Sequence, residues 1–328
     1  MKRFNVTGMC VGSEHYMVDI SRKLDEIEKL VDSKHYFTIN RARQYGKTTT
    51  LFHLKKRLEG RGDYICAEIS FEDVGIGSFA TEEAFCRMFL GRVSEALEYS
   101  NADDEYARKW LDPDVLCIEA LRKHITKMCK GVKLVLMIDE VDKSSNNMLF
   151  LHFLGVLRAK YLSRQKGVDF TFHSVILAGV TDIKNLKMKM INDGHYTPLR
   201  EEGRILNSPW NIAADFDVGM SFSSDEISTM LMDYENENKT GMDITAIAEA
   251  IFDNTNGYPV LVSRICRHID EKLGKNWTTE GVAQAVRNML EERNVLVDGI
   301  TKNLGNNRDL KNFYMSCLFW ASANHLNL

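Results

Sequence analysis

A chain of 328 residues, 44% hydrophobic and 27% charged, has the composition of a soluble globular protein and suffices for one large domain or two ordinary ones. Its net charge of −4 excludes a globally basic nucleic-acid binder and leaves only a local patch for that role. Seven scattered cysteines without a C-x-x-C, no apolar run approaching about 18 residues, and no apolar stretch behind "MKRFNVTGMC" argue against a disulfide or zinc framework, a membrane span and a signal peptide; a cytoplasmic protein is expected.

The opening to about Met17 reads as irregular. "VDISRKLDEIEKLVDSK" then places Ile20, Leu24, Ile27, Leu30 and Val31 at helical spacing. "YFTIN" (Tyr36–Asn40) predicts a buried strand, and "TTTLFHLKKRLEG" a helix closed by Gly60. "YICAEIS" (Tyr64–Ser70) predicts a second strand. A long helical stretch follows from about Thr81 to Lys130, interrupted by "NADDEYARKW" and broken at Pro113. "KLVLMID" (Lys133–Asp139) is a third strand whose continuous apolar run implies burial on both faces. "HSVILAG" (His173–Gly179) is a fourth, and "VGMSF" (Val218–Phe222) a short fifth.

Alternating strands and helices imply an α/β core with a mainly parallel sheet covered by helices. After Phe222 the pattern turns purely helical through "DEISTMLMDYE", "ITAIAEAIFDN", "PVLVSRICRHIDEKL" and "TEGVAQAVRNMLEERNVL". A boundary near Ser223 is expected, with residues 1–223 as a nucleotide-binding core and 224–328 as an all-α or winged-helix-like lid. The basic stretch "KNLKMKM" (Lys184–Met190) reads as a solvated helix start more readily than as a nucleic-acid contact.

The chemistry sits in "INRARQYGKTTTL". A phosphate loop has the form G-x-x-x-x-G-K-[ST] between a strand and a helix. Gly46, Lys47 and Thr48 fit its end, while Arg41 stands where the first glycine belongs. Gly46 lets the backbone turn close to phosphate oxygens, and successive N–H groups at the helix start face the anion. Arg43, Gln44 and Tyr45, then Gly46, Lys47, Thr48 and Thr49, are the expected nucleotide contacts. Lys47 would reach the β- and γ-phosphates, and the Thr48 hydroxyl would ligate Mg2+.

Hydrolysis also needs a carboxylate near the metal and a group that orients water. "LVLMIDEVDK" ends its strand in Asp139 and Glu140. Asp139 is the candidate for the metal and Glu140 for the water. The Asp139 strand is expected next to the Tyr36–Asn40 strand, with its carboxylate facing Thr48. At the end of the fourth strand, "LAGVTDIKN" offers Thr181, and second Asp182, as a γ-phosphate sensor.

Together "HYMVDIS", "YFTINRARQYGKTTTL", "LMIDEVDK", "ILAGVTDIKNLK" and "SPWNIAADF" resemble the AAA-like ATPase domain family of bacteria, whose members often carry a C-terminal nuclease-like domain of the PD-(D/E)xK class. The resemblance runs from about Arg3 to Phe222 and more loosely to Leu304. It implies a P-loop ATPase followed by a lid, and the arginine in the first glycine's place matches the family's own form of the loop. Related signalling ATPases set a G-x-P turn beside the adenine, a pattern met by Gly257-Tyr258-Pro259. By that likeness Pro259 and Tyr16–Val18 would flank the base, and Arg264 would sense phosphate. The nuclease-like domain is expected to be missing from a chain that stops at Leu328, with "NFYMSCLFWASANHLNL" a truncated or altered end. The lone E-x-K, Glu237-Asn238-Lys239, does not sit in a nuclease context, so nuclease activity is not expected.

Two functions remain open on these residues. The first is an ATPase switch that couples Mg-dependent ATP hydrolysis to movement of the lid. The second is a catalytically weak nucleotide-binding module whose output is a protein contact through the C-terminal helices. A DNA-associated module is weaker, given the acidic balance. An oligomer is possible, and Arg200 and Arg204 lie where they could reach a neighbour's site. The absence of an N-K-x-D motif, with the family likeness, favours adenine over guanine.

Overall fold

The computed structural model describes residues 2–144, 148–180 and 210–292. Within these residues four parallel strands form one sheet: β1 (Tyr36–Asn40), β2 (Ile65–Ser70), β3 (Leu134–Asp139) and β4 (Ser174–Gly179), in the order β1-β4-β3-β2. β3 and β4 are buried at every residue, which is why they read as unbroken apolar runs. Successive side chains point to opposite faces. Tyr36, Leu136, Ile138, Val175 and Leu177 thus enter one core, while Phe37, Ile39, Val135, Met137 and Ile176 enter another.

The second of these cores is closed by α1 (Ser21–Asp32) and α2 (Lys47–Gly60). The first is closed by α3 (Glu82–Glu98), α5 (Ile118–Met128) and α6 (Met148–Gln165). The short α4 (Asp104–Arg108) forms inside "NADDEYARKW", because Asp103 caps it through the Glu105 N–H at 2.7 Å.

Two expectations are corrected. β3 does not lie beside β1; β4 intervenes. Strand order follows from where the crossover helices deliver the chain, and α2 carries it past β4 and β3 to β2, at the edge. Val218–Phe222 is not a strand. The chain instead meets β1 in a single bridge, where the Ala214 N–H donates to the Tyr36 carbonyl at 2.8 Å. The Val218 carbonyl, which a ladder would use, accepts from the Arg41 guanidinium at 3.1 Å.

A separate core unites α7 (Ser224–Asn238), α8 (Ile244–Thr255), α9 (Pro259–Lys272) and α10 (Thr279–Glu291). Ser223 and Glu226 start α7 with a capping box. The N-terminal segment belongs to this core as well: Phe4, Tyr16, Tyr234 and Trp277 form one aromatic cluster. Lys2 pairs with Asp233 at 2.7 Å, and the Tyr16 hydroxyl donates to Glu237 at 2.8 Å. Glu237 is therefore engaged in holding this arm. Among the described residues no helix is long and apolar enough to cross a membrane.

His173, just before β4, sets a pH dependence. Its Nε2 lies 3.1 Å from the Val31 carbonyl, and burial, reinforced by Arg164 and Lys34, pushes its pKa from 6.5 down to about 4. The folded state therefore holds the neutral ring while the unfolded chain takes up a proton. That contribution is complete above pH 6.5 and is lost as the pH falls toward about 4. Denaturant titrations across this window should show stability falling with acid, with a shallower fall in His173→Gln. Equal slopes for the two proteins would contradict this.

Candidate active site

β1 ends at Asn40, and the chain turns through residues 41–46 into α2. Gly46 caps that helix with φ 77°, in the left-handed region where glycine avoids a Cβ clash. Gln44 is also left-handed, with φ 60°. The turn thus presents the first N–H groups of α2 to the space above the sheet, where an anion binds well.

Lys47 is 6% exposed, and its Nζ donates to the Arg41 and Ala42 carbonyls at 3.1 Å each. Burial lowers its pKa, while Glu140, Asp139 and Asp142 act to hold the charge. The Thr48 hydroxyl donates to Asp139 Oδ2 at 2.6 Å. Two residues 91 apart in sequence thus meet across the C-terminal end of the sheet, as the sequence led one to expect of Asp139 and Thr48. Asp139 is 5% exposed. Glu140 follows in the left-handed region, with φ 53°, an uncommon conformation for a side-chain-bearing residue that is often met at functional sites. Burial, then the neighbouring Asp139, raises its pKa, and Lys47 opposes the shift.

A hydroxyl and a buried carboxylate are hard oxygen donors and suit Mg2+, which favours one or two protein ligands with waters and phosphates completing the shell. Among the described residues no group of three or more His, Cys, Asp or Glu side chains gathers to hold a metal. The pair would hold Mg2+ together with a nucleotide rather than in a protein cage.

A cleft of about 570 Å³ opens from this point toward the helical half. Lys47, Thr48, Glu140 and Glu72 line it. Met17, Val18, Met220, Phe222, Pro259 and Val260 supply much of its apolar lining. Tyr16–Val18 and Pro259, expected beside a base, do share this cleft. Arg264 is not among its lining residues; Ser263 is, and the Arg264 charge bears on Glu292. Thr181, Asp182, Arg200 and Arg204 lie outside the described residues.

Two contributors were missed. Asp142, in the turn after β3, accepts from the Val180 N–H and packs so closely on β4 that a Cβ at Gly179 would lie 2.8 Å from its Oδ2. The second aspartate of "DEVD" was its only signal. Asn5–Cys10 also line the cleft, and the Cys10 N–H donates to the Thr49 hydroxyl at 3.2 Å. That segment lacks any periodicity, so nothing in the sequence marked it.

A family model described as an AAA-like domain matches residues 7–318. The chain belongs to the AAA-like domain family. Among solved structures, it resembles the Walker-type ATPase paby2304 of Pyrococcus abyssi, with TM-score 0.57 and 13% identity over 92% of this chain and 79% of that one. A Cdc6p structure from Pyrobaculum aerophilum matches with TM-score 0.43 and 16% identity over 81% of this chain and 65% of that one. At such identities the first likeness shows the fold alone. No curated protein matches in sequence.

In this AAA-like domain Arg41 does not obstruct the loop. Its guanidinium turns away, donating to the Asn40 carbonyl at 2.8 Å and the Val218 carbonyl at 3.1 Å, and it lies 5.6 Å from the Phe216 ring centroid. It fixes the loop's entry to the segment that follows β4. Arg41→Gly should therefore lower stability by about 1–2 kcal/mol, the scale of one charged hydrogen bond plus a cation–π contact. Nucleotide affinity should not improve. Thermal melts and nucleotide titrations would check both, and tighter binding by the glycine variant would show that Arg41 impedes the site.

Proposed function

We propose that this AAA-like domain is an ATP-binding, Mg-dependent ATPase that holds the triphosphate on the Gly46–Thr49 turn and the base against the helical half. The observation that carries the reading is the 2.6 Å contact between Thr48 and Asp139 beside buried Lys47 and left-handed Glu140. Mg2+, held through Thr48 and Asp139, would neutralise phosphate charge as it develops. Lys47 would exchange its two loop carbonyls for β- and γ-phosphate oxygens. Glu140, whose pKa is raised by burial and then by Asp139, suits the task of orienting and deprotonating water.

The apolar lining of the cleft favours a base. Among the described residues none engages the backbone N–H or carbonyl of Met17 or Val18, so their polar edges are open to adenine. The lid reading rests on two cores that share one cleft: the sheet and α2 on one side, and the helical half with its N-terminal arm on the other. Under this proposal the boundary lies at Ser223, with the arm attached to the helical half. Hydrolysis would alter the contact between the two parts, and a partner bound by the helices would read that change.

Two variants separate binding from turnover. Lys47→Ala removes the charge aimed at the phosphates and should weaken ATP binding and abolish hydrolysis together. Glu140→Gln keeps the side chain's size and acts only on the transition state. It should leave ATP affinity nearly unchanged and cut hydrolysis by roughly 10²-fold or more. Wild-type turnover at background, unchanged in Glu140→Gln, would reject the ATPase and leave the nucleotide-binding module.

A further inference from the structure

The turn Gly257-Tyr258-Pro259 joins the cleft, which Pro259 lines, to the phosphate loop, which Tyr258 contacts. Gly257 has φ 67°, and a Cβ there would lie 1.9 Å from the Phe222 carbonyl oxygen, so the turn sits directly on the Phe222 backbone. The Phe222 N–H donates to the Gly257 carbonyl at 2.8 Å. Pro259 and Val260 line the cleft. Tyr258 reaches the other way. Its hydroxyl donates to the Arg43 carbonyl, in the phosphate loop, at 2.5 Å. Its ring meets Tyr45 edge-on, with centroids 4.5 Å apart and planes at 69°, and the Tyr45 and Ser221 hydroxyls are 2.8 Å apart.

The Arg43–Gln44 peptide is trans and planar, so the Arg43 carbonyl and the Gln44 N–H point in opposite directions. Gln44 lines the cleft, and among the described residues none accepts a hydrogen bond from its N–H. We propose that Tyr258 is a positioning residue for the phosphate loop: by holding the Arg43 carbonyl toward the helical half, it keeps the Gln44 N–H free for a phosphate oxygen. A flipped peptide would offer a carbonyl oxygen in place of that donor and repel the anion. Since Pro259 follows directly, the same turn that walls the base sets the grip on the phosphates. Opening the helical half would loosen both. This inference rests on the proposed nucleotide site.

The test compares wild type with Tyr258→Phe, which keeps the ring and loses the hydroxyl. A fluorescent ADP analogue is displaced from the full chain by Mg-bound AMPPNP and, separately, by adenosine. Loss of one partly exposed hydrogen bond should weaken AMPPNP roughly three- to tenfold, with adenosine unchanged. A residue that merely seats Pro259 against the base would weaken both ligands alike. Equal losses, or none, therefore overturn the proposal while leaving the nucleotide site standing. A wild type that binds no nucleotide overturns both. The AMPPNP-to-adenosine ratio is taken within each protein, so a lowered melting temperature in the variant does not blur the result.

Discussion

The crossing of α2 over the sheet is the constraint on which the rest depends. The helix begins where β1 ends and must deliver the chain to β2, at the far edge of a β1-β4-β3-β2 sheet. Its first turn is therefore aimed across the strand ends, and Thr48 arrives over the end of β3 with β4 between. No local signal could bring the Thr48 hydroxyl to Asp139; the topology does. Once they meet, the other parts fall into place: Lys47 beneath the turn, Glu140 one residue beyond the carboxylate, and Asp142 bracing the end of β4. Ligand sites at the carboxyl ends of parallel strands arise for this reason.

The helical half depends on the same arrangement from the other side. Its core takes in Phe4, Tyr16 and Val18 from the start of the chain, so the N-terminal arm must run past α2 to reach it. On the way it lines the cleft and bonds Thr49. A part-buried ion pair between Lys23 of α1 and Glu226 of α7 ties the halves together again beside the cleft. Removing one partner of such a pair leaves an uncompensated charge, which is costly. A nucleotide bridging loop and helices would add a contact that both halves share.

Much of this was legible because it was local. Leu134–Asp139 and Ser174–Gly179 read as buried strands since both faces are covered, and Gly46-Lys47-Thr48 names its own geometry. Strand order was not legible, because it depends on where crossover helices end rather than on any residue pattern. Val218–Phe222 alternates like a strand, yet the Arg41 side chain takes the carbonyl that a ladder needs. Arg264 illustrates a helical limit: one residue beyond Ser263, it is turned by about 100° from the face that lines the cleft. The arm at Asn5–Cys10 was invisible because its partners lie far along the chain, in helices that a periodicity argument cannot connect to it.

Under the proposed function, one cleft takes phosphates at the α2 turn and the base at the helical half. A crystal structure with Mg2+ and a non-hydrolysable ATP analogue tests it most directly. The expected result is the triphosphate over Gly46–Thr49 with Lys47 Nζ released from the Arg41 and Ala42 carbonyls, the metal between Thr48 and Asp139, and adenine between Met17–Val18 and Pro259. A nucleotide bound elsewhere, or phosphates seated against the apolar lining, would contradict it.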